Sequence, residues 1–188
     1  MRRIASSVSA SVLVLLSLIG MSNVVRAAEP APEPATADYE VRFMTKMIDH
    51  HMMAVIMGEM CIERAIHPEL ATMCQDIVAN QTAEIETMQA WLHDWYGITY
   101  EPDMNSDSMS HRMSLFGEDF EITFMRTMIR HHSRAVREGA RCVERAYHPE
   151  LISMCTDIVQ AQLEEIQTLR TWLCQWYGIC RSQTGGIG

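Results

Sequence analysis

The sequence predicts an all-α protein, a four-helix bundle built from two duplicated helical hairpins. Residues 38–98 align without a gap with residues 119–179, and roughly 34 of 61 positions are identical. Within each copy, apolar residues recur at helical spacing. Each copy also breaks once, at His67-Pro68-Glu69 and His148-Pro149-Glu150. Proline is tolerated in a first helical turn, and an acid there suits the helix dipole.

The elements follow in order. Arg2-Arg3, an apolar run over residues 12–19 and Val25-Arg26-Ala27 form the pattern of a secretory signal peptide, residues 1–27. The run is shorter than the ~20 residues of a membrane span, and no later segment is long and apolar enough. Residues 28–36 carry Glu29-Pro30-Ala31-Pro32-Glu33-Pro34 and read as a mobile, extended leader. The bundle is expected over 37–180, with 181–188 as a C-terminal tail. Thr36 or Asp38 can cap the first helix, which runs to about Ala65. The second helix starts at Pro68 and ends at Tyr96, where Gly97 supplies the stop. Its apolar line is Leu70, Cys74, Ile77, Ile85, Met88, Leu92 and Trp95. The second copy repeats it as Leu151, Cys155, Ile158, Ile166, Leu169, Leu173 and Trp176. Residues 98–118 contain Pro102, Asn105, Ser106, Ser108, Ser110 and Gly117, and read as the connecting loop. Two hairpins with one apolar face each bury those faces against each other. A mature chain of roughly 160 residues is ample for one core.

Loss of the signal removes three arginines and no acid, moving the net charge from −9 to about −12. Such a chain is a poor nucleic-acid partner and concentrates cations at its surface. After cleavage nothing holds it to a membrane, so a periplasmic or secreted location is expected. Six cysteines in an exported chain suggest disulfides. A Cys61–Cys74 bridge would staple the first hairpin near its turn, and Cys142–Cys155 repeats the spacing. Cys174 and Cys180 occur only in the second copy, where the first has His93 and Thr99, which favours a bridge between them. Six cysteines allow 15 pairings, so other connectivities and thiolate metal ligands stay open.

The chemistry concentrates on the first helix of each copy. Met44, Met47, His51, Val55, Gly58 and Ile62 share one face, and Met125, Met128, His132, Val136, Gly139 and Val143 repeat it. This is the core face. Its methionines can be gap-filling core residues, and its histidines can be bonded to Gln81 and Gln162. A second stripe holds His50, Met53, Met57 and Met60, whose counterparts are His131, Arg134, Glu138 and Arg141. Arginine and glutamate are rarely buried, so the stripe is expected to face solvent. Thioether sulfur and imidazole together select Cu(I), and by the same softness Ag(I). Residues three and four apart on a helix are neighbours, so several sites of two or three ligands fit. Met109, His111 and Met113 in the connecting loop form a second-rank candidate that can equally pack on the bundle. Methionine totals 16, and only Met1 and Met21 leave with the signal.

The Met-x-x-Met-x-x-His-His-x-x-Ala pattern, the duplicated hairpin and the signal peptide resemble an exported four-helix family with Met/His-His motifs, labelled a domain of unknown function. The resemblance covers essentially the whole mature chain. It implies Cu(I) binding and a role in copper resistance. It carries metal ligation to Met44, Met47, His50 and His51, and to Met125, Met128, His131 and His132. Ser133, Arg134 and Glu138 depart from that pattern, leaving the second copy poorer in outer ligands.

Three functions remain in view. The first is a copper-binding protein that sequesters Cu(I) or hands it to an efflux or delivery partner. The second is a ferritin-like di-metal enzyme, for which Glu84 and Glu165 are present but no Glu-x-x-His motif. The third is a homo-oligomer whose methionine stripe is the interface and which needs no metal. No nucleophile motif or phosphate loop points to another enzyme class.

Overall fold

The computed structural model describes residues 29–102 and 117–180. Four helices occupy them: α1 (Pro34–Arg64), α2 (Pro68–Tyr96), α3 (Gly117–Arg145) and α4 (Pro149–Tyr177). No strand occurs among the described residues. Helix α1 starts at Pro34, earlier than the Thr36 or Asp38 cap expected, because proline there sits at a first-turn position with Glu33 as the N-cap. Helices α2 and α4 end in glycine with left-handed backbone, Gly97 (φ 65) and Gly178 (φ 66). The Ile98 and Ile179 amides then bond back to the Leu92 and Leu173 carbonyls, closing each helix end.

Each hairpin packs its two helices along their length, and the hairpins meet chiefly through α1 and α3. Two mirrored cores result. Phe43, Met44, Met47, Ile85, Met88 and Trp95 pack with Cys142, Leu151 and Ile158 of the other hairpin. Phe120, Phe124, Met125, Met128 and Leu173 pack with Met57, Cys61, Leu70 and Ile77. The start of α1 thus meets the end of α3 and the reverse, so the two helices run antiparallel across a pseudo-twofold axis.

Three disulfides use all six cysteines: Cys61–Cys74, Cys142–Cys155 and Cys174–Cys180. The first two tie each hairpin beside its turn. This also excludes cysteine thiolates as metal ligands. No described helix is long and apolar enough to cross a membrane.

The glycines of the repeated motif mark where helices come closest. A Cβ added at Gly58 would lie 2.7 Å from Val78 Cγ2 and 3.3 Å from the Cys74 carbonyl oxygen. At Gly139 the values are 2.8 Å to Val159 Cγ2 and 3.2 Å to the Cys155 carbonyl oxygen. Alanine improves helix propensity by about 1 kcal/mol, but valine is stiff and the carbonyl belongs to backbone. Overpacking of this kind costs about 1–3 kcal/mol. Gly58→Ala and Gly139→Ala are therefore each expected to lower the midpoint of urea unfolding. An unchanged or higher midpoint would mean that the helices separate freely here.

Both ends of the α1–α3 contact are closed by a buried carboxylate. Glu40 is fully buried, and its Oε1 accepts from the backbone amides of Tyr147 (2.6 Å) and His148 (3.0 Å). Its Oε2 accepts from His148 Nδ1 (2.6 Å) and the Tyr96 hydroxyl (2.5 Å). Glu121 repeats the arrangement with the Ile66 and His67 amides, His67 Nδ1 and the Tyr177 hydroxyl. Trp95 stacks on His148, and Trp176 on His67. Each carboxylate therefore ties α1 or α3 to the turn of the opposite hairpin. The residues before α1, expected to be a mobile leader, touch this clasp: His148 Nε2 donates to the Glu29 carbonyl at 2.9 Å, and Ala31 is buried.

Candidate metal centre

The paired histidines of both copies converge where α1 crosses α3. The His50 and His131 rings stack with centroids 3.6 Å apart and planes 24° from parallel. His50 Nε2 donates to the His131 carbonyl oxygen at 3.2 Å. His51 and His132 flank this stack, with centroids 6.0 and 5.9 Å from their neighbours. Both are fully buried. Nδ1 of His50 and both ring nitrogens of His51, His131 and His132 are buried without a hydrogen-bond partner. Buried polar atoms are normally paired; Nε2 of His51 and His132 has only a carboxylate beside it and the other nitrogens have nothing, so the cluster asks for a ligand.

The electrostatics keep the His50 and His131 rings neutral. Burial, and then the neighbouring His51 and His132, push His50 down to about 3. Burial and the stacked His50 hold His131 well below the ordinary imidazole range. A neutral imidazole offers a lone pair, which a metal needs.

Sulfur stands beside these nitrogens. A cleft of about 570 Å³ between α1 and α3 is lined by Met47, His50, Met53 and Met57 from one side and His131, Arg134 and Glu138 from the other. The other methionines of the core face, Met44, Met125 and Met128, are buried, but Ile62 and Val136 are only partly so and Val143, expected on that face, is exposed. All eight residues singled out by the family pattern thus lie in or beside the crossing helices' interior.

Two expectations need correction. The stripe His50, Met53, Met57 and Met60 does not simply face solvent. Met57 is 0% exposed, while Met53 and Met60 are partly buried. The stripe straddles the pseudo-twofold axis, which passes beside the His50–His131 stack, so Met57 lies towards the start of α3 while Glu138 lies towards the start of α1. At this boundary an unbranched methionine turns inward, into the core that holds Phe120 and Phe124. Its counterpart Glu138 turns outward, to Arg141 at 3.0 Å. The second correction concerns the histidine partners. Gln81 and Gln162 do not bond His51 and His132, and their own Oε1 atoms are buried and unpaired. Glu84 and Glu165 stand there instead, with Oε2 at 2.8 Å from His51 Nε2 and 2.7 Å from His132 Nε2.

The loop candidate of Met109, His111 and Met113 lies outside the described residues. Glu40 and Glu121 went unread in the sequence. Each sits four residues before Met44 or Met125 on the core stripe, identical in both copies. An acid held at such a position in both repeats is the signal that could have found them. Among the described residues no group of three or more His, Cys, Asp or Glu side chains forms a metal cage. The donors here are thioether and imidazole, which suit a soft ion better than a hard one.

The chain resembles solved structures of CopM. The Cu(I)-bound form of CopM matches with a TM-score of 0.68 and 29% identity, over 74% of this chain and 98% of that one. The Ag-bound form obtained by co-crystallisation matches at 0.66 and 30%, over 74% and 98%. A DUF305 fragment from Deinococcus radiodurans matches at 0.62 and 27%, over 77% and 97%. No curated protein sequence matches. The domain of unknown function DUF305 matches residues 40–119 and 121–185, one match per hairpin, and the chain belongs to that family.

Proposed function

We propose that this protein binds Cu(I), and through the same donors Ag(I), at the α1–α3 crossing. It acts outside the cytoplasm, sequestering the ion or carrying it to an efflux or delivery partner, and so contributes to copper resistance. The observation that carries this reading is the set of buried, unpartnered imidazole nitrogens beside methionine sulfurs in one cleft. The likeness to CopM, whose structures hold Cu(I) and Ag, supports it. So does the signal-peptide pattern at the start of the chain. Neutral thioethers and imidazoles match a monovalent soft ion, and thioethers persist in an oxidising compartment where the cysteines are bridged. The reading is of a binding protein rather than an enzyme, because the bundle carboxylates Glu84 and Glu165 are engaged with histidines. A methionine-faced oligomer is less favoured, since Met57 already packs inside its own chain.

The test is an anaerobic Cu(I) titration of the mature protein against a chromophoric chelator. Met53→Leu/Met57→Leu keeps the packing volume and removes two sulfurs. It is expected to weaken Cu(I) binding by about tenfold or more, about 1.4 kcal/mol, with an unchanged thermal midpoint. A folded wild-type protein that takes up no Cu(I) sinks the proposal. Binding that ignores the leucines moves the ion away from the cleft methionines.

A further inference from the structure

The two histidine–glutamate contacts are not explained by packing. His51 and His132 are wholly inside the bundle, and each has a carboxylate oxygen within 2.8 Å of Nε2. The N–H direction does not aim at that oxygen well enough for a hydrogen bond, so the attraction is mainly electrostatic. On the opposite edge of each ring, Nδ1 is buried and no donor reaches it. The same arrangement occurs in both halves of the molecule.

A neutral imidazole carries one proton and one lone pair. A lone pair on Nε2 would face the negative Glu84 or Glu165 oxygen and be repelled. A proton there is attracted. The carboxylate therefore selects the tautomer with hydrogen on Nε2 and leaves the lone pair on Nδ1. No donor in the structure reaches that lone pair. Met47 and Met128 precede the histidines by one helical turn on the same face, and both are buried. Thioethers donate no proton, so a cation is the partner chemistry that remains. We infer that Glu84 and Glu165 are positioning residues, which hold the proton of His51 and His132 on Nε2 and make Nδ1 the donor to a soft monovalent ion. This rests on the copper reading above. Carboxylates behind metal-ligating histidines commonly act this way, and their loss typically costs 10–100-fold in metal affinity, by general experience.

The experiment uses the mature protein with nitrogen-15 in its histidines. Long-range proton–nitrogen spectra of the metal-free protein are expected to show His51 and His132 protonated at Nε2. Addition of Ag(I), a spin-one-half nucleus, is then expected to produce silver coupling at Nδ1 of those rings. Glu84→Leu and Glu165→Leu should mix the tautomers and weaken Ag(I) binding by about 10–100-fold. Glu84→Gln and Glu165→Gln keep an acceptor oxygen and should restore the tautomer and most of the affinity. Metal uptake with Nδ1-protonated or doubly protonated rings, or silver coupling at Nε2, overturns this inference alone. Nε2-protonated rings in a protein that takes up no metal overturn the copper reading, and the donor assignment with it. If the leucine variants do not fold, the wild-type spectra and the glutamine variants decide.

Discussion

Glu40→Ala is expected to cost about 3–5 kcal/mol of stability, and Glu121→Ala the same, because several buried donors would each be left unsatisfied at about 1–3 kcal/mol. Four hydrogen bonds end on each carboxylate, and two of the donors are backbone amides. Truncation strands all of them inside the protein, and stranded donors are more costly than missing bonds. Domains of this size are stable by about 5–15 kcal/mol in total. The double variant should therefore lose its cooperative urea transition altogether. Glu40→Gln should fall between, because its amide group would face two donors, His148 Nδ1 and the Tyr96 hydroxyl. The sign of the acid response follows from the same contacts. Burial opposes ionisation at Glu40, but the bonds from Tyr96, His148 and Tyr147 outweigh it and hold the carboxyl below its ordinary value of 4.5. At Glu121 the bonds from His67, Tyr177 and Ile66 do likewise. Their contribution is complete above the unfolded value and is lost as pH falls through the lowered one. Both variants should accordingly flatten stability against pH below 4.5. A wild-type midpoint in either alanine variant would show that the clasps are incidental.

The clasps show which parts of this molecule were legible in its sequence. Helix α2 is read to the residue, because Pro68 and Gly97 punctuate it and its buried line is apolar but for Gln81. The repeat made the pairing of hairpins a matter of geometry rather than of propensity. The core methionines and the inner histidines followed from helical spacing alone, and the structure buries them. What failed was the step from one copy to the other across the symmetry axis. Arg134 and Glu138 do reach solvent, but Met57, at the position equivalent to Glu138, does not. Only His50 and His131 meet at the symmetry axis; Met57 and Glu138 lie on opposite sides of it, so one can be covered while the other stays open. The clasp was missed for a related reason. Glu40 meets Tyr147 and His148 more than a hundred residues away, on the other hairpin. Periodicity reports which face is buried, not which distant groups meet there.

These two features have connected consequences for the site. Clasps at both ends of the α1–α3 contact tie the hairpins together, and a disulfide beside each turn braces each hairpin, so the middle of that contact can carry groups that weaken it. His131→Phe tests this directly. Both nitrogens of His131 are buried and unpaired, and leaving such groups unsatisfied costs about 1–3 kcal/mol each. Phenylalanine keeps a flat ring against His50 and leaves the backbone carbonyl that accepts from His50 Nε2 in place. The metal-free variant is therefore expected to be more stable than the wild type, by about 1–2 kcal/mol after allowance for a slightly larger ring. Its pH response should change too. His50 and His131 are held neutral in the fold, with His50 down at about 3 against 6.5 when unfolded. In that window the unfolded chain binds the extra protons, so the wild type loses stability as pH falls from 6.5 towards 3. Removal of one of the two rings should make that loss shallower. The same substitution removes a nitrogen donor from the cleft and should weaken Cu(I) binding by about tenfold or more, about 1.4 kcal/mol. Opposite movements of stability and affinity are what a site selected for binding produces. A variant that is both less stable and unchanged in Cu(I) affinity would mean that His131 is a packing residue. The orphaned nitrogens would then need an explanation other than a metal.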